Sequence, residues 1–177
     1  MALLIAPGTY PIDTTHSQIA FSIRHLGIST IRGTFDTYRG ELCVGADLAG
    51  TVVAVAADTA SINSGNRWRD EHMFGPEWLD VDDHPEMAIR STSITESVDG
   101  YTMTGDLTIK GITNPVTFDV VYHGSNTFPM DGSTHFGFEA TGSVMRSAFG
   151  VSTAIPLLSD EVKLFLDVQF VLPAPTA

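Results

Sequence analysis

Two stretches of the chain concentrate the side chains able to do chemistry. The first, "RWRDEHMFGPEWLDVDDHPEM", holds Arg69, Asp70, His72, Asp80, Asp82, Asp83 and His84. Imidazole and carboxylate groups suit zinc or iron. One reading is therefore a metal-dependent enzyme that uses His72, His84 and a nearby acid. The spacing matches no tight ligand motif, however, so no metal is assigned. Arg69 with Asp70 or a later Asp fits a partly buried, fork-shaped ion pair that pins the segment against the barrel. The second stretch, "IDTTHSQIAFSIRHLG", carries His16 and His25. If it is extended, nine residues separate the two by roughly 30 Å, and the odd spacing sends them to opposite faces, so they are not a catalytic pair. His16 reads as part of a turn with Asp13 and Ser17, and His25 as a hydrogen-bonded histidine at the end of an apolar face.

Other catalytic signatures are missing. There is no GxSxG elbow, no HExxH and no phosphate-cradling glycine loop. Cys43 is the single cysteine, which rules out an internal disulfide, a CxxC redox pair and a cysteine-rich zinc site. Acids outnumber bases 21 to 9, for a formal net charge of -12. The few bases are scattered, so nucleic acid is excluded as a partner, and an anionic membrane is expected to repel the chain. No apolar run approaches the ~20 residues that cross a bilayer, which predicts no stable membrane insertion. "MALLIAPGTYPID" lacks Lys and Arg, and Pro7-Gly8 interrupts its apolar run. That pattern lacks the features of a signal peptide and predicts a cytoplasmic protein.

The elements that must position these residues are strands. In "DEVKLFLDVQFVL", Val162, Leu164, Leu166, Val168, Phe170 and Leu172 alternate with Lys163, Asp167 and Gln169. The same alternation gives strands at 101–109 and 116–122, and others at 18–26, 29–44, 50–60, 86–97 and 134–146. About eight long antiparallel strands joined by short hairpins predict an all-β, up-and-down barrel as a single domain over residues 1–177. One short helix is expected in the 61–79 segment, capped by Asn66, running to about Phe74 and ended by Gly75-Pro76.

Trp68, Met73, Phe74, Trp78 and Leu79 crowd that helical segment, which reads as a plug or a lid at one barrel end. Gly33, Gly105 and Gly142 interrupt inward rows, either to kink strands or to leave an apolar space. An eight-stranded barrel is about the size that holds one small ligand.

Four motifs in order, "YPIDTTHSQIAFSIRHLGISTIRGTF", "ASINSGNRWRDEHM", "GDLTIKGITNPVTF" and "MRSAFGV", resemble the YceI-like family of lipocalin-like barrels that bind polyisoprenoids or other long amphiphilic lipids. The likeness spans nearly the whole chain. It implies an extended eight-stranded barrel around a long apolar cavity, a bound prenyl chain such as an isoprenoid quinone, and no enzymatic activity. By position, the family's DxxHS falls on Asp13, His16 and Ser17, its RDxH on Arg69, Asp70 and His72, and its GxLTIxGxTxPV on Gly105 through Val116. Three departures stand out. Tyr10 replaces the usual Trp, "EWLD" replaces the frequent DFFD, and Ala148 in "RSAFG" replaces an acid near Arg146, removing a local ion pair.

The combined reading is a non-catalytic protein that binds, stores or transports a long-chain isoprenoid or similar lipid, with no cofactor other than that ligand. Expected wall residues are Phe21, Ile23, Leu107, Ile109, Phe118, Val120, Phe136 and Phe138, covered by Met73, Phe74 and Trp78. His25, Arg69, Asp70 and His72 are the polar residues able to orient a head group or to hold the structure. Barrels of this kind often pair, so a homodimer is a further expectation. The alternatives are the metal-dependent enzyme above and a protein-interaction barrel with a filled interior.

Overall fold

The computed structural model describes residues 5–172. The strands are β1 (Gly8–Pro11), β2 (Gln18–His25), β3 (Ser29–Phe35), β4 (Tyr38–Val44), β5 (Val52–Asp58), β6 (Ile62–Asn63), β7 (Glu86–Glu96), β8 (Tyr101–Ile109), β9 (Ile112–Thr127), β10 (Thr134–Met145) and β11 (Leu158–Leu172). They form one antiparallel sheet in the order β1-β4-β5-β7-β8-β9-β10-β11-β2-β3-β6. The sheet curls until its first edge returns to β11, where Ile12 bridges Phe170 and the Asp13 amide donates to the Gln169 carbonyl at 2.8 Å.

The predicted all-β class holds, but the strand count is eleven rather than eight. The physical reason is local. The stretch expected as one strand over 29–44 breaks at Asp36 and Thr37, where the Asp36 carboxylate accepts from Thr34 Oγ1 at 2.6 Å and Asn63 Nδ2 at 2.8 Å. That contact folds the chain toward β6, which pairs with the end of β3. Ahead of β2, Asp13 Oδ1 accepts from the Thr15 amide at 2.9 Å, and the resulting turn separates β2 from the unforeseen β1. Elsewhere the strands run longer than the alternation suggested, β9 over sixteen residues and β11 over fifteen.

The helix α1 (Arg67–His72) sits where the capping signal placed it, with Asn66 Oδ1 accepting from the Arg69 amide at 3.1 Å. It ends at His72, two residues before the expected Phe74, with Met73 as its C-cap. Three apolar clusters fill the interior. Tyr10, Leu42, Phe136, Phe138 and Phe170 pack at one end. Met103, Leu107, Val116, Phe118, Ala140 and Phe149 form the middle. Phe35, Ala57, Ile62 and Leu79 pack below α1.

The inward glycines are neither simple kinks nor empty space. Gly33 pairs directly across from Phe21, and a Cβ on it would stand 2.5 Å from Phe21 Cζ. Gly142 pairs across from Phe118, whose ring would come within 2.9 Å. In each case an aromatic ring lies over the bare backbone of the opposite strand. Gly33→Ala should therefore destabilise the protein by about 1–3 kcal/mol, because Phe21 must leave its rotamer and the Asn63 carbonyl, 2.9 Å from the new Cβ, must shift. Thermal denaturation checks this: a lowered Tm is expected, and an unchanged Tm would show that the ring moves without cost.

Candidate functional site: an apolar cavity beneath the helical segment

A wholly apolar cavity of about 230 Å³ lies between α1 with the segment after it and the inward faces of β2, β3 and β11. Alternation along the strands builds its wall. Phe21 and Ile23 come from β2, Ile31 and Phe35 from β3, Val162 and Leu164 from β11, and Ile109 and Val144 from β8 and β10. Met73, Trp78 and Leu79 cover it from the helical segment. Trp68, 77% exposed, is one of its lining side chains and marks where the cavity meets water.

The plug and lid readings of that segment are both partly met. Trp78 and Leu79 are buried, whereas Trp68 stands outward and stacks on His72, with centroids 5.8 Å apart. His72 in turn meets Trp78 edge-on at 5.9 Å. The indole Nε1 of Trp78 is buried without a hydrogen-bond partner.

Charged residues contribute to this wall, but their polar atoms are engaged elsewhere. The anticipated direct ion pair of Arg69 with Asp70 is replaced by a relay through Ser64. Arg69 donates from Nε to Ser64 Oγ and from Nη2 to the Ser64 carbonyl, both at 2.7 Å. The buried Asp70 carboxylate accepts from the Ser64 amide at 3.0 Å and from the Ser64 hydroxyl. The relay fastens α1 to the chain just ahead of it. The sequence reading missed Ser64 because a serine among turn residues carries no distinctive signal.

Arg146 is the second such group and was not among the expected site residues. It is 6% exposed, and its guanidinium lies 5.8 Å from the Trp78 ring centroid. Nε donates to the Ser159 carbonyl at 2.9 Å, Nη1 to Val151 and Thr153 at 2.9 and 2.8 Å, and Nη2 to Leu158 at 3.2 Å. As the missing acid at Ala148 implied, Arg146 forms no ion pair among the described residues. Burial lowers its pKa, and the charge of nearby Asp160 opposes that shift. Asp160 is held below the ordinary carboxylate range by the hydroxyl and amide of Ser147. Its contribution to stability is therefore complete above that ordinary range and is lost as pH falls from there through the lowered pKa of the folded state.

The other expected wall residues lie deeper. Phe118, Val120 and Phe138 line a second apolar cavity of about 80 Å³ with Leu42, Met103 and Phe170. Leu107 and Phe136 line neither cavity and belong to the middle and end clusters of the core. Phe74 packs against the cluster below α1. His25 ends β2 opposite Leu158 and Ser29, outside the cavity lining. His72 and His84 are not brought together: His72 lies between two tryptophans, and His84 lies 4.0 Å from Asp80. Among the described residues no cluster of three or more His, Cys, Asp and Glu side chains is placed to hold a metal ion. His16 instead meets Asp13 at 2.7 Å and faces the His135 ring at 6.2 Å, just before the start of β2, whereas His25 ends that strand.

The four carbonyls gathered by Arg146 yield a direct test. Arg146→Lys keeps the charge but lacks the planar fork, leaving buried carbonyls without donors. It should lower stability by about 3 kcal/mol or more, read as a shift in the denaturant midpoint. A midpoint within error of wild type would show that the loop over residues 151–159 holds without the guanidinium.

Comparison with known proteins bears on the family and the fold. A UPF0312 protein of Staphylococcus aureus (strain USA300) is 35% identical over 164 residues, covering 91% of this chain and 92% of its own length. A YCEI protein of Campylobacter jejuni superposes with a TM-score of 0.75 at 27% identity, over 86% of this chain and 91% of that one. A polyisoprenoid binding domain from Saccharophagus degradans shares the fold, with a TM-score of 0.66 at 13% identity over 94% of this chain and 98% of that one. The family model described as a YceI-like domain matches residues 10–170, and the chain belongs to that family.

Proposed function

We propose that this protein binds a long-chain isoprenoid, a polyprenyl chain or an isoprenoid quinone, or a similar amphiphilic lipid, and carries or stores it without chemical change. The observation that carries the reading is the cavity of about 230 Å³ whose exposed surface is wholly apolar although Arg69, Asp70 and Arg146 belong to its wall. Its charged side chains are bonded to other protein groups, and the buried side-chain polar atom left unpartnered in its wall is Trp78 Nε1, so a polar substrate finds no built anchor there. A hydrocarbon chain gains ~0.8 kcal/mol per buried methylene, so ten carbons contribute about 8 kcal/mol before ordering costs. That is of the order of micromolar affinity without a strong polar anchor.

The fold-sharing domain from Saccharophagus degradans, named for polyisoprenoid binding, supports the same ligand class. The second cavity is separated from the first by the Met103, Leu107, Phe118 and Phe149 cluster, so a long chain that reaches both must part those side chains.

Val144 lines the first cavity from β10. Val144→Trp should fill it and weaken uptake of a fluorescent prenyl probe at least tenfold. Val121→Trp, on an exposed position of β9, should leave uptake at the wild-type level. Equal uptake by wild type and Val144→Trp would remove this cavity from the binding site.

A further inference from the structure

Net charge conceals a segregation of charge over the fold. None of the 21 acids lies in residues 14–35 or 140–159, and β2, β3 and the approach to β11 bring these two stretches together at one corner of the barrel. On the outer face there, Arg32 and Lys163 both pair with Ser22 in one row across β3, β2 and β11, which sets them about 10 Å apart. Arg24 lies one step nearer the hairpin, where it donates to Thr30 Oγ1 and the Gly27 carbonyl, each at 2.8 Å. These three cations line a shallow groove of about 420 Å³ in which Glu161 is the one carboxylate, and none of the three forms an ion pair among the described residues. Three cations side by side without an ion pair make a local positive patch open to an anion, in a chain where acids outnumber bases 21 to 9.

The adjoining tip is apolar and exposed. Leu26 is 52% exposed, Ile28 81%, Ile155 41% and Leu157 56%. The Leu26 amide donates to the Leu157 carbonyl at 2.7 Å, so the β2–β3 hairpin and the 152–157 loop present these side chains as one patch. Behind it, Ile23, Ile31 and Leu158 line the apolar cavity. Apolar side chains at a tip with cations set just behind them match a bilayer interface, where hydrocarbon lies beneath a layer of phosphates.

We propose that this corner docks the protein on an anionic phospholipid bilayer, with Ile28, Leu26 and Leu157 entering the interface and Arg24, Arg32 and Lys163 meeting headgroup phosphates. Docking there sets the cavity wall against the bilayer from which a lipid would be drawn, so the proposal rests on the lipid-binding reading above. It also replaces the expectation, drawn from net charge alone, that an anionic membrane repels the chain. Local charge decides docking because exposed charges farther away than about 10 Å are largely screened at 0.1 M salt.

The test is co-flotation with phosphatidylcholine vesicles, with and without phosphatidylglycerol. Wild type should float with the anionic vesicles, less so as salt rises. Arg32→Glu with Lys163→Glu should weaken partitioning at least tenfold, since each surface cation accounts for about fivefold. Ile28→Asp should weaken it at any salt, while Arg90→Glu, on β7 away from the patch, should float as wild type. Failure of wild type to float, or equal loss in Arg90→Glu, overturns the proposal, as does normal flotation of the double variant. A monomeric fluorescent prenyl probe separates the two claims. Uptake intact in wild type with no flotation sinks docking alone, and no uptake in wild type sinks the lipid-binding reading with it.

Discussion

Charged groups in the cavity wall can coexist with an apolar cavity only if their hydrogen bonds are spent elsewhere, and this constraint organises the barrel end beneath α1. Arg146 exemplifies it. A buried guanidinium without a carboxylate partner would be costly, but four carbonyls of the 151–159 stretch surround it. The same bonds shape the chain that supplies Val151 and Leu158 to the wall. Arg69, Ser64 and Asp70 do the equivalent for the helical side, holding α1 so that Met73 and Trp78 face inward. Each polar cluster thus fixes an apolar surface.

The strands impose a complementary limit. A curled sheet of long strands leaves more interior than its side chains must fill, and where they fill it depends on pairs such as Phe21 over Gly33 and Phe118 over Gly142. These rings close the core at defined levels. Above and below the middle cluster the two cavities remain. The binding reading and the fold are therefore consequences of the same packing.

Strand identity was legible from alternation because one face of nearly every strand is apolar, as Val162 through Leu172 shows. The breaks were not legible. Asp36 looks like any polar residue between strands, and its bonds to Thr34 and Asn63 exist only once β6 lies beside β3. The helix was readable from its Asn66 cap, a local signal. Among candidate wall residues, Phe21, Ile23 and Ile109 were read from their faces, but the same rule could not tell Leu107, in the packed middle, from Ile109, on the cavity. Depth along a barrel leaves no mark in a period of two. Arg146 escaped notice as a wall residue because its partners are backbone carbonyls, which every residue has.

The most direct measurement is native mass spectrometry of the freshly purified protein, followed by extraction and identification of anything bound. The account predicts one lipid-mass adduct per chain that extracts into organic solvent as a prenyl or other long-chain species. A bare polypeptide mass that persists after incubation with isoprenoid quinones and polyprenyl lipids would contradict it.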